Sequence, residues 1–183
     1  MKLKSILAVA TLAALSAAAV PAMAQVMVGG APMYSNKDII DNAVNSKDHT
    51  TLVAAVKAAG LVDTLKGPGP FTVFAPTNAA FAALPAGTVD SLLKPESKPA
   101  LTKVLTYHVV SGKMDSAALI KAIDAGGGKA TLTEVSGGKL VASKSGSTIM
   151  LTDESGGMAH VTIPDVVQSN GVIHVVDKVL LPN

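Results

Sequence analysis

The chain has 183 residues, of which 49% are apolar, 15% charged and 3% aromatic. That length holds one ordinary domain plus a leader, and the apolar share supports a packed core rather than a disordered chain. With no Cys, no Trp and no Arg, disulfides, thiolate metal sites, cysteine nucleophiles and bidentate guanidinium clamps are excluded.

Residues 1–24 read as a secretory leader. Lys2 and Lys4 make a positive start, Ile6 to Val20 is uncharged and apolar, and Pro21 precedes the small-residue cleavage pattern Ala22-Met23-Ala24. The apolar run is shorter than the roughly 20 residues that span a bilayer. The expected mature chain is therefore exported, periplasmic or extracellular, with no membrane span. Two of the 15 lysines leave with the leader, so the rest balance the 13 acids. A neutral chain without lysine clusters interleaved with aromatics lacks what nucleic-acid binding needs.

Residues 25–35 show no period and contain Gly29, Gly30 and Pro32, which predicts a flexible tail before a single domain over 36–183. Ser35 and Asp38 have capping-box spacing, and Ile39, Ile40, Ala43 and Val44 share one face of a helix over about 36–46. A second helix starts near Asp48 to Thr50, buries Leu52, Val53, Val56 and Ala59, and ends at Gly60. Leu61 to Leu65 adds a helical turn, and Gly67-Pro68-Gly69-Pro70 breaks it. Phe71 to Ala75 reads as a short strand stopped by Pro76, and Asn78 is placed to cap the helix that follows. Thr88 to Leu93 is another short helix. Ser97 can cap a longer one, with Pro99 in its first turn and Leu101, Val104, Leu105 and His108 on one face. Tyr107 to Val110 turns extended, and Ser116 to Ala125 is the last helix.

From Lys129 the period changes from 3.6 to 2. Segments 129–135, 139–144, 147–153 and 158–163 read as an antiparallel meander joined by Ser-Gly turns. Val166 to Gln168 and Val172 to Val176 are two more short strands. Helices first and strands later give an α+β class.

The chemistry-bearing residues are sparse. No Gly-x-Ser-x-Gly elbow or phosphate-binding Gly-rich motif occurs, and Gly126-Gly127-Gly128 follows a helix rather than a strand. His49, His108, His160 and His174 do not pair at metal-ligand spacing, and Asp153-Glu154 sits in a turn. Tyr107 and His108 read as half-buried, hydrogen-bonded core residues. No catalytic residue, metal or cofactor is expected, and the chain reads as a non-enzyme.

Three strings carry a resemblance. Gly69 to Phe81, containing Phe71-Thr72-Val73-Phe74-Ala75-Pro76-Thr77-Asn78, resembles the first signature of the fasciclin domain family. Leu105-Thr106-Tyr107-His108-Val109-Val110 is similar to its central Tyr-His segment, and Ser169 to Pro182 resembles its closing signature. The resemblance implies a β-wedge or sandwich of about seven strands with several helices packed along its edge. It places Phe71, Val73 and Phe81 in the core, has Thr77 and Asn78 hold the strand-to-helix turn, and gives Asn170-Gly171 a turn with positive φ. It also implies a secreted, monomeric adhesion module that binds a cell-surface or matrix component, protein or polysaccharide. By position, Asp165-Val166 and Tyr107-His108 match the regions tied to partner binding in that family. Since some members bind carotenoids, the alternative is a carrier of an apolar small molecule such as a carotenoid or lipid, with Met27, Met33, Met114, Met150 and Met158 as adaptable surface.

Overall fold

The computed structural model describes residues 25–183, so the leader expected at 1–24 lies outside the described residues. Two short strands, β1 (Met27–Val28) and β2 (Ala31–Pro32), form an antiparallel hairpin. The segment expected as a loose tail is thus ordered. Val28 and Met33 are buried, and burial of apolar side chains offsets the chain entropy that the glycines would otherwise claim.

The first half of the domain is helical: α1 (Ile39–Ala43), α2 (Thr50–Ala59) and α3 (Val62–Lys66), with a 3-10 turn at Lys47–His49 before α2. Strand β3 (Phe71–Pro76) follows, then α4 (Asn78–Ala82), α5 (Thr88–Leu92) and α6 (Lys98–Tyr107). After β4 (Val109–Ser111) and α7 (Ser116–Ala125) come β5 (Lys129–Thr133), β6 (Lys139–Ser145), β7 (Thr148–Thr152), β8 (Met158–Gln168) and β9 (Gly171–Val176). The two strands expected around 158–163 and 166–168 are one, because register shifts between Val161 and Val166 keep β8 paired to β9 across the irregularity.

The main sheet has seven strands in the order β4-β3-β9-β8-β7-β6-β5. The meander β5 to β9 is antiparallel throughout, whereas β3 joins β9 in parallel. Val110 bridges Glu134 and Val135 N–H donates to the Val109 carbonyl at 2.8 Å, so β4 meets the chain just beyond β5 and the sheet curls into a near-barrel.

Period-2 alternation sorts the core. On β5 to β8, Ala130, Leu132, Leu140, Ala142, Ile149, Leu151, Ala159 and Val161 face inward against Leu119 and Ile123 of α7. Strands β3 and β9 are buried on both faces. Phe74 and Val176 join that inner cluster, while Val73, Ala75, Ile173 and Val175 pack against α1, α2, α3, α4 and α6 on the other side.

Several helix caps differ from those read locally. Asp38, not Ser35, caps α1 by accepting from Asp41 N–H at 2.8 Å. Thr77 caps α4 through the Ala80 N–H. Ser97 makes no side-chain cap, because a 3-10 turn at Pro95–Ser97 already leads into α6. Neither Asn170 nor Gly171 has positive φ. Gly171 is required for another reason: a Cβ there would overlap the Phe71 carbonyl where β3 and β9 lie closest.

Candidate functional site

Tyr107 and His108 end α6 and turn the chain into β4. Tyr107 is 0% exposed and His108 2%, so both are more deeply buried than their sequence setting suggested. The Tyr107 hydroxyl donates to the Lys139 carbonyl at 2.8 Å and accepts from Glu154 N–H at 3.0 Å. Burial pushes the phenol up to about 12, so it stays a donor. His108 places Nδ1 2.8 Å from the Val104 carbonyl and accepts at Nε2 from Leu180 N–H at 3.0 Å. Nδ1 therefore carries the proton, and burial lowers the pKa to about 4. The pair ties α6 to the β6 edge and to the C-terminal segment.

Asp165 and Val166 lie in the irregular stretch of β8. Asp165 is the one non-glycine residue with positive φ (58°) among the described residues. Its carboxylate accepts from Ser116 N–H at 2.6 Å and from the Ser116 hydroxyl at the first residue of α7, whose N-cap is Asp115. Its N–H donates to His174 Nδ1 at 3.3 Å, and His174 Nε2 meets the Met114 carbonyl at 2.8 Å. Val166 is 1% exposed and sits in the core. Of the four residues, only Asp165 reaches the surface, and its carboxylate is engaged. The structure does not bring the two pairs together at one exposed patch; each fastens a different element.

Other polar side chains make partners that the sequence reading did not give. Asn170 accepts from Ile39 N–H at 3.1 Å and donates to the carbonyls of Leu65 (2.7 Å) and Gly67 (3.2 Å), joining α1 and α3 to the sheet. Asn78 accepts from Thr51 N–H at 3.0 Å and so caps α2 rather than its own helix. Asn42 donates to Gln168 and to the Tyr34 carbonyl. Residue type signalled a cap at Asn78 and a turn at Asn170, but no local signal names a partner dozens of residues away. Glu134 is 4% exposed with one carboxyl oxygen unpaired, and burial raises its pKa to about 8, assisted by Glu154 and Asp153.

Two spaces adjoin these groups. An exposed groove of about 420 Å³ runs between the N-terminal hairpin and β8, lined by Val26, Tyr34, Asn36, Asp165 and Val167. An apolar cavity of about 60 Å³ lies between α1, α2, α3 and the β3/β9 face of the sheet. Among the five methionines named above, Met33 alone lines it. No group of three or more His, Asp or Glu side chains suited to a metal occurs among the described residues, and no helix there is long and apolar enough to cross a membrane.

The fasciclin domain profile matches residues 47–182, which spans everything from the turn before α2 to the C-terminal segment. The chain belongs to the fasciclin family. It is 48% identical over 157 residues to protein sll1483 of Synechocystis sp., covering 85% of this chain and 79% of that one. Immunogenic protein MPB70 of Mycobacterium bovis is 36% identical over 145 residues, covering 76% of this chain and 66% of that protein. The transforming growth factor-beta-induced protein ig-h3 of Sus scrofa is 34% identical over 144 residues, 79% of this chain but only 19% of that much longer protein. Among solved structures, a FAS1 domain pair from the insect cell adhesion molecule Fasciclin I superposes with a TM-score of 0.70 at 18% identity, covering 79% of this chain and 51% of that one. This fasciclin domain therefore has the FAS1 fold, with the seven-strand sheet and flanking helices expected from its signatures.

Proposed function

We propose that this fasciclin domain is an exported, non-catalytic binding module that engages a cell-surface or matrix component through the groove between its N-terminal hairpin and β8. The observation that carries the reading is the groove itself. It is formed by the Asp165–Val167 stretch, where Val167 is exposed and the buried Val166 and engaged Asp165 hold the strand in its bulged path. The FAS1 fold shared with a cell adhesion molecule supports a role in adhesion. On this reading Asp165 and Val166 shape the binding surface and Val167, Tyr34 and Asn36 touch the partner, while Tyr107 and His108, buried at the end of α6, lie outside the groove.

The test is capture from envelope and matrix fractions by the immobilised protein, with Val167→Glu as the groove variant. Specific capture that Val167→Glu abolishes, at unchanged circular dichroism, is the expected outcome. Equal capture by both proteins, or capture by neither, would sink the proposal.

A further inference from the structure

Asn170 and Gly171 form the sequence's one Asn-Gly pair, at the turn between β8 and β9. The fold needs each residue for a separate reason. The Asn170 side chain accepts from Ile39 N–H and donates to the Leu65 and Gly67 carbonyls. Gly171 lies so close to β3 that a Cβ would overlap the Phe71 carbonyl. Packing therefore sets side by side an asparagine and the residue that least hinders attack on its amide, because glycine has no side chain to shield its nitrogen.

The attack would break what holds the turn. When the Gly171 backbone nitrogen bonds to Asn170 Cγ, a five-membered succinimide closes. The side-chain nitrogen then leaves as ammonia, taking the Gly171 N–H proton. Water opens the ring to aspartate or to isoaspartate, which routes the main chain through one additional methylene. Ring closure makes Cγ tetrahedral and swings its oxygen and nitrogen away from all three partners. The peptide plane that must turn with it is also clamped. Phe71 N–H donates to the Asn170 carbonyl at 3.0 Å, Ser169 N–H donates to the Lys37 carbonyl at 2.9 Å, and Gly171 is paired with Gln168.

We propose that Asn170 is a deamidation site gated by the fold: inert while the β8–β9 turn is docked, reactive once the chain unfolds, and a bar to refolding once modified. The product retains an acceptor for Ile39 N–H but loses both donors, so a carboxylate oxygen faces the Leu65 and Gly67 carbonyls. Isoaspartate also lengthens the turn where Gly171 already abuts Phe71. Unfolding thus becomes irreversible with time. This property is independent of whether the groove binds a partner.

The experiment incubates the purified protein at neutral pH across a guanidinium chloride series, beside a peptide spanning residues 166–175 as the solvent control. Peptide mapping follows isoaspartate at position 170. Its rate of formation should track the unfolded fraction through the transition. In buffer it should be at least about a hundredfold slower than in the unfolded chain. The peptide should react at a similar rate in every solvent. After dilution of the denaturant, chains modified at position 170 should remain protease-sensitive while unmodified chains refold. Asn170→Asp, made directly, should show a lower denaturant midpoint or no folded state. Isoaspartate forming in buffer at the peptide's rate, none forming in the unfolded chain, modified chains recovered in the protease-resistant fraction, or an unchanged midpoint in Asn170→Asp would each overturn the proposal.

Discussion

His108 and Glu134 carry opposite titration demands within the same interior. His108 hydrogen-bonds a carbonyl through one ring nitrogen and accepts an N–H at the other, which only the neutral ring satisfies. Its pKa of about 4 lies below the ordinary 6.5, so the unfolded chain takes up the proton first as pH falls. The stability it contributes is complete above pH 6.5 and is lost between there and about 4, an effect of about 3 kcal/mol. His174, also held low by burial, adds to the same acid limb. Urea unfolding at pH 7 and pH 4.5 should show this loss, and His108→Gln should flatten the slope. Glu134 works the other way. Its pKa is raised from 4.5 to about 8 by burial, so its contribution is complete below pH 4.5 and is lost as pH rises through 8. Glu134→Gln is therefore expected to raise the urea midpoint above pH 7, most at pH 9; a lower midpoint there would contradict the assignment.

At the scale of elements, the helices are fastened by side chains that come from elsewhere. Asn170 serves α1 and α3 at once through three hydrogen bonds, and Asn78 serves α2. Removing the Asn170 amide leaves one N–H and two carbonyls without that partner, so Asn170→Ala should cost about 2–3 kcal/mol. Asn36→Ala on the exposed groove rim should change stability by less than about 0.5 kcal/mol. Denaturant midpoints of the two variants decide this, and equal midpoints would refute the role of Asn170. The contrast explains what was legible at this scale. Helices α2, α6 and α7 and strands β5 to β7 follow from periodicity, and Gly60 ends α2 with φ of 74° as its type predicts. Asp165 is different. Its letter and position suggested an exposed contact, yet its partner Ser116 is 49 residues away and is brought close only by folding.

For the molecule as a whole, β3 and β9 form a shared wall between two apolar clusters. Phe74 faces one and stacks on His174 with ring centroids 5.7 Å apart, while Val73 faces the other. Neither cluster can lose this wall and persist, so unfolding should be a single transition. Phe74→Ala should cost about 3–5 kcal/mol, the usual range for emptying a large core site. Tyrosine fluorescence and far-ultraviolet circular dichroism should still report coincident transitions in that variant. Separate midpoints would show that the clusters unfold independently. The groove and the cavity both belong to this scale, since each is walled by segments distant in the chain.

The sequence by itself determined the α+β class, the meander, most helices and, through three strings, the family. Those features rest on local periodicity, on Gly and Pro geometry and on residue types repeated within short windows. Tertiary structure alone decided the parallel pairing of β3 with β9, the order of the 25–35 hairpin and the interior placement of Tyr107, His108 and Val166. Each depends on contacts between distant segments, where burial and hydrogen-bond satisfaction are set by neighbours that the linear order does not reveal.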